Sequence, residues 1–291
     1  MNKQSAKILF ASLIVPALLF EWRALLATFS LALEREEFTH ILLILPIVVA
    51  LFYVDRANFA RPPQFGLTIG IVLLVAAAAV CISAAFFQMP ADDRLSLNML
   101  ALVIWCAGSF VLSFGAKTAR SFLFPLGFLL WMVPLPADFL DHIIAFLQRW
   151  SAFSAEALFR LAGVPVSQDG FFLTIPGLTV EVATECSSIR SSLILLVTTM
   201  VLAQLELRSF WRKCVVVAVA VPLTVAKNGL RIFIIAMLGT KVNRQYLTGN
   251  FHRHGGVIFL MLALAVILLL IWGLKRGEKP DSPGPAHFGV A

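Results

Sequence analysis

Residues that could carry out acyl transfer occur at or within three apolar runs of the chain. Cys186 stands at the start of one run, Arg231 lies within the next, and His252 and His254 come just before the last. A cysteine attacks carbonyl groups as its thiolate, and a histidine moves protons near neutral pH. An arginine stabilises an oxyanion without losing its own charge. Together these residue types indicate a cysteine nucleophile with a general acid or base and an oxyanion stabiliser.

Other polar residues accompany these candidates. Lys227 and Asn228 precede Arg231 in the same apolar run, and Arg190 follows Cys186 by four residues. A charged side chain inside a membrane segment costs at least about 2.5–3.5 kcal/mol, so it needs a structural or functional reason. Asn228 and Arg231 are three residues apart and therefore share a helix face. Supporting or substrate-contacting roles are assigned to these polar residues and to further neighbours of the cysteine and the histidines: Asn228, Lys227, Arg190, Glu185, Ser187, Ser188 and Arg253.

Each candidate also has a simpler structural explanation. Cys186 could be a small packing residue, and Arg231 a buried ion-pair partner of Glu181 or Glu185. The two histidines could be interfacial polar groups, and Lys227 and Arg190 could extend towards water or pair structurally. The residue types alone leave these alternatives open.

The remaining cysteines do not suggest a second chemistry. Cys81, Cys106 and Cys214 lie inside apolar runs, far apart, without the short spacing of metal-binding or redox pairs. We expect them to act as small apolar residues and expect no disulfide framework.

The composition indicates that lipid surrounds most of the chain. It is 60% hydrophobic and 13% charged over 291 residues, whereas a soluble domain carries about 25% charged residues. The net charge of +7 comes from basic clusters between apolar runs, which is typical of membrane topology signals rather than of nucleic-acid binding. The apolar runs predict about eight transmembrane helices: 8–22, 39–54, 66–88, 95–116, 121–136, 186–205, 212–238 and 255–274. The first is interpreted as a retained helix, since no small-residue cleavage site follows it.

The basic residues also predict the orientation. With the N-terminus in the cytoplasm, most basic loop residues fall on the inner side, and these are Lys3, Lys7, Arg56, Arg61, Lys117, Arg120, Arg208, Arg212, Lys213, Lys275, Arg276 and Lys279. Helix 6 and helix 8 then start at the outer surface, where helix 7 ends. Cys186, Arg231 and the histidines are therefore expected at the same outer level.

The segment 137–185 is too polar to span a membrane and is placed outside. Apolar residues at helical spacing predict an amphipathic helix on the outer surface. Two β-favouring runs around Pro176-Gly177 then predict a small β-hairpin that leads to Cys186. The fold class is an all-α polytopic membrane protein with these two extracytoplasmic additions. A single domain is predicted over 1–276, with a disordered cytoplasmic tail over 277–291.

Three motifs resemble the exosortases and the related archaeosortases. They are Ala183-Thr184-Glu185-Cys186-Ser187-Ser188-Ile189-Arg190, then Asn228-Gly229-Leu230-Arg231-Ile232, and finally His252-Arg253-His254-Gly255-Gly256. The second is close to the family's N-x-x-R pattern, and the third fits its H-x-x-x-G pattern. Ser188 is a departure, because the family usually has glycine there.

The resemblance implies a membrane cysteine protease or transpeptidase that processes C-terminal sorting signals of the PEP-CTERM type. Cys186 would form an acyl-thioester, and Arg231 would stabilise the oxyanion or protonate the leaving amine. His252 is favoured by its spacing to Gly256, although His254 or Arg253 could take its place. No metal or organic cofactor is expected.

The expected partners are exported proteins with a sorting signal, the lipid bilayer, and a glycan or other acceptor nucleophile, but no nucleic acid. The expected location is the bacterial cytoplasmic (inner) membrane. Two other functions fit the residues: a transporter or flippase for a polysaccharide precursor, with Lys227, Arg231 and Arg190 binding an anionic headgroup, and an acyltransferase using Cys186.

Overall fold

The computed structural model describes residues 2–60, 66–182, 189–243, 245 and 256–278. Within these ranges the chain is mostly helical and forms two compact units, Met1–Ile143 and Ile144–Ala291. They are called the N-terminal and the C-terminal unit, and each is described by itself.

The N-terminal unit is built from helices. They are α1 (Lys3–Phe20), α2 (Trp22–Glu34), α3 (Ile41–Val54), α4 (Leu67–Phe86), α5 (Ala91–Phe114), α6 (Ala116–Ser121) and α7 (Leu123–Phe128). Short 3-10 helices cover Glu36–Phe38, Asp55–Ala60 and Leu129–Met132. A cluster of aromatic rings packs around Phe122, which is fully buried and lies 5.0 Å from Phe52 and 4.5 Å from Phe59 between ring centroids.

Helix α8 (Ala137–Leu161) continues into the C-terminal unit. The rest of that unit contains three strands and three long helices: β1 (Ser167–Asp169), β2 (Phe172–Ile175), β3 (Leu178–Glu181), α9 (Ile189–Glu206), α10 (Phe210–Lys241) and α11 (Gly256–Arg276). One core joins α8, the sheet and α10 through Phe159, Leu173, Val182 and Ile232. A second core joins α9, α10 and α11.

The protein is a multi-pass membrane protein. Seven described helices are long and apolar enough to cross a membrane, or up to eight if the bent pair Leu123–Met132 and Ala137–Leu161 counts as one span. The predicted fold class, with about eight spans and a small sheet, is confirmed.

Two helical regions differ from the sequence prediction. The sequence predicts no span between residues 22 and 39, yet α2 forms a helix over most of this stretch. Its small residues Ala24, Thr28 and Ala32 recur every four positions and form its buried face. The predicted fifth span, 121–136, is broken into α7 and a 3-10 turn that ends at Met132. Pro134 and Pro136 follow directly, and proline cannot donate the hydrogen bond that would continue a helix.

The sheet has three strands where two were predicted. The hairpin of β2 and β3 is confirmed, with Gly177 at the turn in a left-handed conformation (φ 81°) that glycine adopts without strain. The extra strand β1 pairs with β2 through Ser167 opposite Thr174. Its sequence, Ser-Gln-Asp, has low intrinsic strand preference. It is a strand because its backbone pairs with β2, which local sequence does not predict.

Candidate active site

Helices α9, α10 and α11 form a bundle whose ends are fixed by polar contacts. At one end, Lys213 donates a 2.7 Å hydrogen bond to Gln204, and Lys275 forms a 2.6 Å ion pair with Glu206. Arg212 also donates to the carbonyl of Leu274 at 2.9 Å. These contacts bring the start of α10 to the ends of α9 and α11.

Towards the opposite end of the bundle, α10 carries Lys227 and Arg231. The Nζ atom of Lys227 donates a 2.6 Å hydrogen bond to Ser191 Oγ, in the first turn of α9. A Cβ atom placed on Gly256, the first residue of α11, would lie 3.9 Å from Cζ and Nη1 of Arg231. The guanidinium group of Arg231 therefore lies beside the start of α11. The sequence predicts that helices 6 and 8 begin, and helix 7 ends, at one level. These helices are α9, α11 and α10, and both contacts are consistent with the prediction.

Asn228 holds α10 against α8. Its Nδ2 atom donates a 2.9 Å hydrogen bond to Ser151 Oγ, and both side chains are buried. One residue later, a Cβ atom at Gly229 would meet the Oγ and Cβ atoms of Ser154, and it would lie 3.0 Å from the backbone nitrogen of Ala155. Only glycine allows so close an approach of the two helices. This contact positions the turn of α10 that carries Arg231.

A second contact from α8 fixes the chain just before the cysteine motif. Gln148 is buried and donates a 2.9 Å hydrogen bond to the carbonyl of Val182. The N–H of Val182 donates in turn to the carbonyl of Phe171 at 2.8 Å. Both backbone groups of Val182 are thus satisfied, and the last described residue before the motif has a defined place beside α8 and β2.

Lys227 is buried at 6% exposure in the apolar interior of the unit. Within the described part of the chain, Ser191 accepts its hydrogen bond and no carboxylate forms an ion pair with it. Arg231, one helical turn further along α10, places a like charge within electrostatic reach of Lys227. Lys227 lies near the start of α9 and Arg231 near the start of α11. Two cationic side chains placed in this way suit an anionic group or a developing negative charge.

The sequence model of the transmembrane exosortases matches residues 32–270 of this chain. The match covers most of the chain and includes all three motifs. The chain belongs to the transmembrane exosortase family. Comparison with curated proteins gives no match, and comparison with solved structures gives none either.

The exosortase motifs are only partly within the described residues. Of the second motif, Asn228 and Arg231 lie on α10, and of the third, Gly256 begins α11. Arg190 is exposed in the first turn of α9. The other candidates lie outside the described residues: Glu185, Cys186, Ser187, Ser188, His252, Arg253 and His254.

Several polar residues that support the exosortase motifs were not singled out from the sequence. Gln148, Ser151 and Ser154 recur every three residues along α8, and each of them approaches a motif-bearing segment. Ser191 contacts Lys227 from α9. The three-residue spacing of the polar residues on α8 places them on one face of the helix. This spacing is the sequence signal that would have indicated them.

Proposed function

We propose that the chain is a membrane-embedded cysteine transpeptidase that cleaves PEP-CTERM-like C-terminal sorting signals of exported proteins. Membership of the exosortase family supports this class of reaction. The single structural observation that carries it is the proximity of Arg231, from the second motif, to Gly256, from the third. Motifs separated by many residues in sequence share one place in the bundle.

The register of α9 and α10 supports a position for Arg231 close to the cysteine. The pairs Lys213–Gln204 and Lys227–Ser191 show that the two helices run antiparallel. Arg231 lies four residues beyond Lys227, or about 6 Å along the axis. Arg231 therefore lies towards the end of the bundle at which α9 begins. Cys186 comes three residues before the first residue of α9 in the sequence.

The proposed reaction proceeds in two steps. The thiolate of Cys186 attacks the scissile carbonyl carbon, the carbon–nitrogen bond breaks, and the peptide amine leaves with a proton. Arg231 stabilises the oxyanion of the tetrahedral intermediate or supplies this proton, assisted by His252 or by one of its neighbours, Arg253 and His254. An acceptor nucleophile, a glycan or another group, then attacks the thioester and releases Cys186.

The proposed location is the bacterial inner membrane, with both termini in the cytoplasm and the site on the extracytoplasmic side. The end of the bundle opposite Arg231 carries exposed or half-exposed basic residues, among them Arg208, Arg212 and Lys275. An excess of basic residues is typical of the cytoplasmic side, which supports this orientation.

A transport function is the second candidate. The buried Lys227, with Arg231 one turn away, favours it, because paired cations in a membrane protein often bind an anionic headgroup. In that case Cys186 would be dispensable and Lys227 essential, so the two functions predict opposite results for Cys186→Ala.

The test follows a co-expressed exported protein with a C-terminal sorting tail, resolved by size on a gel. Cys186→Ala should abolish shortening of this substrate, whereas Cys106→Ala and Cys214→Ala, at two other cysteines, should leave it unchanged. Undiminished processing by Cys186→Ala would overturn the proposal. Loss of function with Lys227→Ala but not with Cys186→Ala would support transport instead.

A further inference from the structure

The N-terminal unit contains an apolar cavity of about 410 Å³ among α1, α4 and α5. Its size falls in the range of about 300–1,000 Å³ that is usual for ligand pockets. Small side chains create the space, and Trp105 forms one wall. The residues that line it are Pro16, Ala17, Phe20, Glu21, Ala77, Ala78, Cys81, Ile82, Ala101, Leu102 and Trp105.

Among the described residues that line this cavity, Glu21 is the one acidic group, and it is only 9% exposed. Within the described part of the chain, the thiol of Cys81 is the sole side chain that hydrogen-bonds to the Glu21 carboxyl group, at a long 3.5 Å. A thiol is a weak donor, and a carboxylate can accept several hydrogen bonds. A nearly buried carboxyl group with so little compensation needs a further partner.

Burial raises the pKa of the Glu21 carboxyl group, and the hydrogen bond from Cys81 only partly lowers it again. The cavity therefore penalises the carboxylate while it is left without a cation. An ammonium group at this place would offset the penalty by a charge-assisted hydrogen bond.

The position of Glu21 indicates what kind of molecule carries that ammonium group. Glu21 follows directly after the apolar helix α1, and exposed Trp22 and Arg23 come next. Tryptophan and arginine at a helix end are typical of the membrane–water interface. Phe20 and Ile82 line the cavity and are also exposed, so the cavity opens towards the surrounding lipid.

We propose that this cavity binds one acyl chain of an amine-headed phospholipid of the phosphatidylethanolamine type, with the lipid's ammonium group donating to Glu21. The charge complementarity selects the amine over an anionic headgroup. A choline headgroup is excluded as the preferred ligand because its quaternary nitrogen has no hydrogen to donate. A whole transmembrane helix, about 10 Å wide with its side chains, is too large for the cavity.

The experiment uses the purified, delipidated full chain in detergent and an equimolar mixture of three lipids with identical acyl chains. Phosphatidylethanolamine, phosphatidylcholine and phosphatidylglycerol are added, and the bound lipids are weighed by native mass spectrometry. The wild-type protein should retain phosphatidylethanolamine about tenfold over the other two, the ratio expected for one charge-assisted hydrogen bond. Equal retention of phosphatidylcholine would overturn the proposal.

Two matched pairs of variants locate the binding. Glu21→Gln should remove the preference for the amine headgroup, whereas Glu36→Gln, at an exposed carboxylate, should keep it. Ala78→Phe should fill the cavity and reduce bound phosphatidylethanolamine, whereas Ala79→Phe, on the exposed face of the same helix, should not. The unfolding temperature without lipid shows that each variant is folded. An unchanged preference in Glu21→Gln, or equal lipid binding by the two phenylalanine variants, would place the lipid elsewhere and contradict the proposal.

Discussion

The side-chain amide of Asn228 donates a 2.9 Å hydrogen bond to the buried hydroxyl group of Ser151. This bond joins the helix that carries Arg231 to the helix that precedes the sheet. Because both residues lie in the apolar interior of the C-terminal unit, neither has water as an alternative partner. The bond therefore fixes where Arg231 lies more firmly than an exposed contact would.

Asn228→Ala should destabilise the protein by about 1–3 kcal/mol, because it leaves the Ser151 hydroxyl group buried without this partner. Unfolding temperatures in detergent measure the effect. Asn243→Ala, at an exposed asparagine just beyond α10, is the control and should cost less than Asn228→Ala, because the hydrogen bond that its side chain accepts, from the N–H of Gln245, is exposed. The double variant Asn228→Ala/Ser151→Ala should lose less stability than the sum of its single variants. Strict additivity would show that the two groups do not interact.

Gly229→Ala should separate α10 from α8 and lower both stability and processing. The added Cβ atom would meet Ser154, and it would lie 3.0 Å from the Ala155 backbone, which cannot move without shifting the helix. Gly273→Ala is the matched control, since a Cβ atom there meets nothing within 4 Å. It should be neutral or slightly stabilising.

A second substitution tests the cause of the Gly229→Ala defect. Ser154→Gly removes the side chain that the new Cβ atom meets, so the double variant should regain part of the lost processing. If Ser154→Gly brings no recovery, the contact with the Ser154 side chain is not the reason for the defect.

Lys227→Met should lower processing without lowering stability. Methionine keeps an unbranched apolar side chain and removes a buried ammonium group, whose burial is itself costly. The loss of a charged hydrogen-bond donor near the site should reduce kcat/KM about tenfold. Lys241→Met, at the exposed end of the same helix, should leave kcat/KM unchanged. A fall in unfolding temperature with normal kcat/KM would show a purely structural role for Lys227.

Glu278 should make the C-terminal unit sensitive to acid. Its carboxylate accepts hydrogen bonds from the backbone N–H groups of Ser209 at 3.0 Å and Arg208 at 3.1 Å, where α10 begins. These bonds, first that from Ser209 and then that from Arg208, and the charge of Arg212 hold the pKa of Glu278 below its usual range. A carboxylate with a lowered pKa stabilises the fold fully above its unfolded pKa of about 4.3, and this stabilisation is lost as the pH falls through the folded pKa.

The measurement is the unfolding temperature between about pH 3 and about pH 7. This range includes the ordinary glutamate pKa of about 4.3. Glu278→Gln should reduce the difference between the two ends of this range, whereas Glu36→Gln should leave it as in the wild type. Identical pH profiles for wild type and Glu278→Gln would show that this carboxylate does not stabilise the start of α10.

Much of the membrane fold follows from hydrophobic run length, because a span of lipid leaves few alternatives to a helix of about 20 residues. The spans near α4, α5, α10 and α11 were predicted within a few residues for this reason. α2 was missed because its buried face is made of Ala24, Thr28 and Ala32, which carry little hydrophobic signal. The fifth span was predicted too long because its apolar residues continue past Met132, whereas Pro134 and Pro136 do not continue the helix.

The candidate site shows the same division. The common level of Arg231 and the start of the last helix followed from counting spans, and the contact with Gly256 agrees with it. The hydrogen bond from Gln148 and the hydrogen bonds to Ser151 and Ser191 could not be predicted, because each depends on which face of a helix meets a distant segment. Sequence spacing gives the face of a single helix, whereas the partner is decided by tertiary packing.

Trapping of the acyl-enzyme tests the central claim most directly. The purified protein is incubated with a substrate bearing a sorting tail, quenched in acid without added acceptor nucleophile, and digested for mass spectrometry. We predict a thioester adduct on the peptide containing Cys186, with the mass of the substrate's N-terminal fragment, and no adduct on Cys81, Cys106 or Cys214. Cleaved substrate from a Cys186→Ala variant, or an adduct on another residue while processing continues, would contradict it.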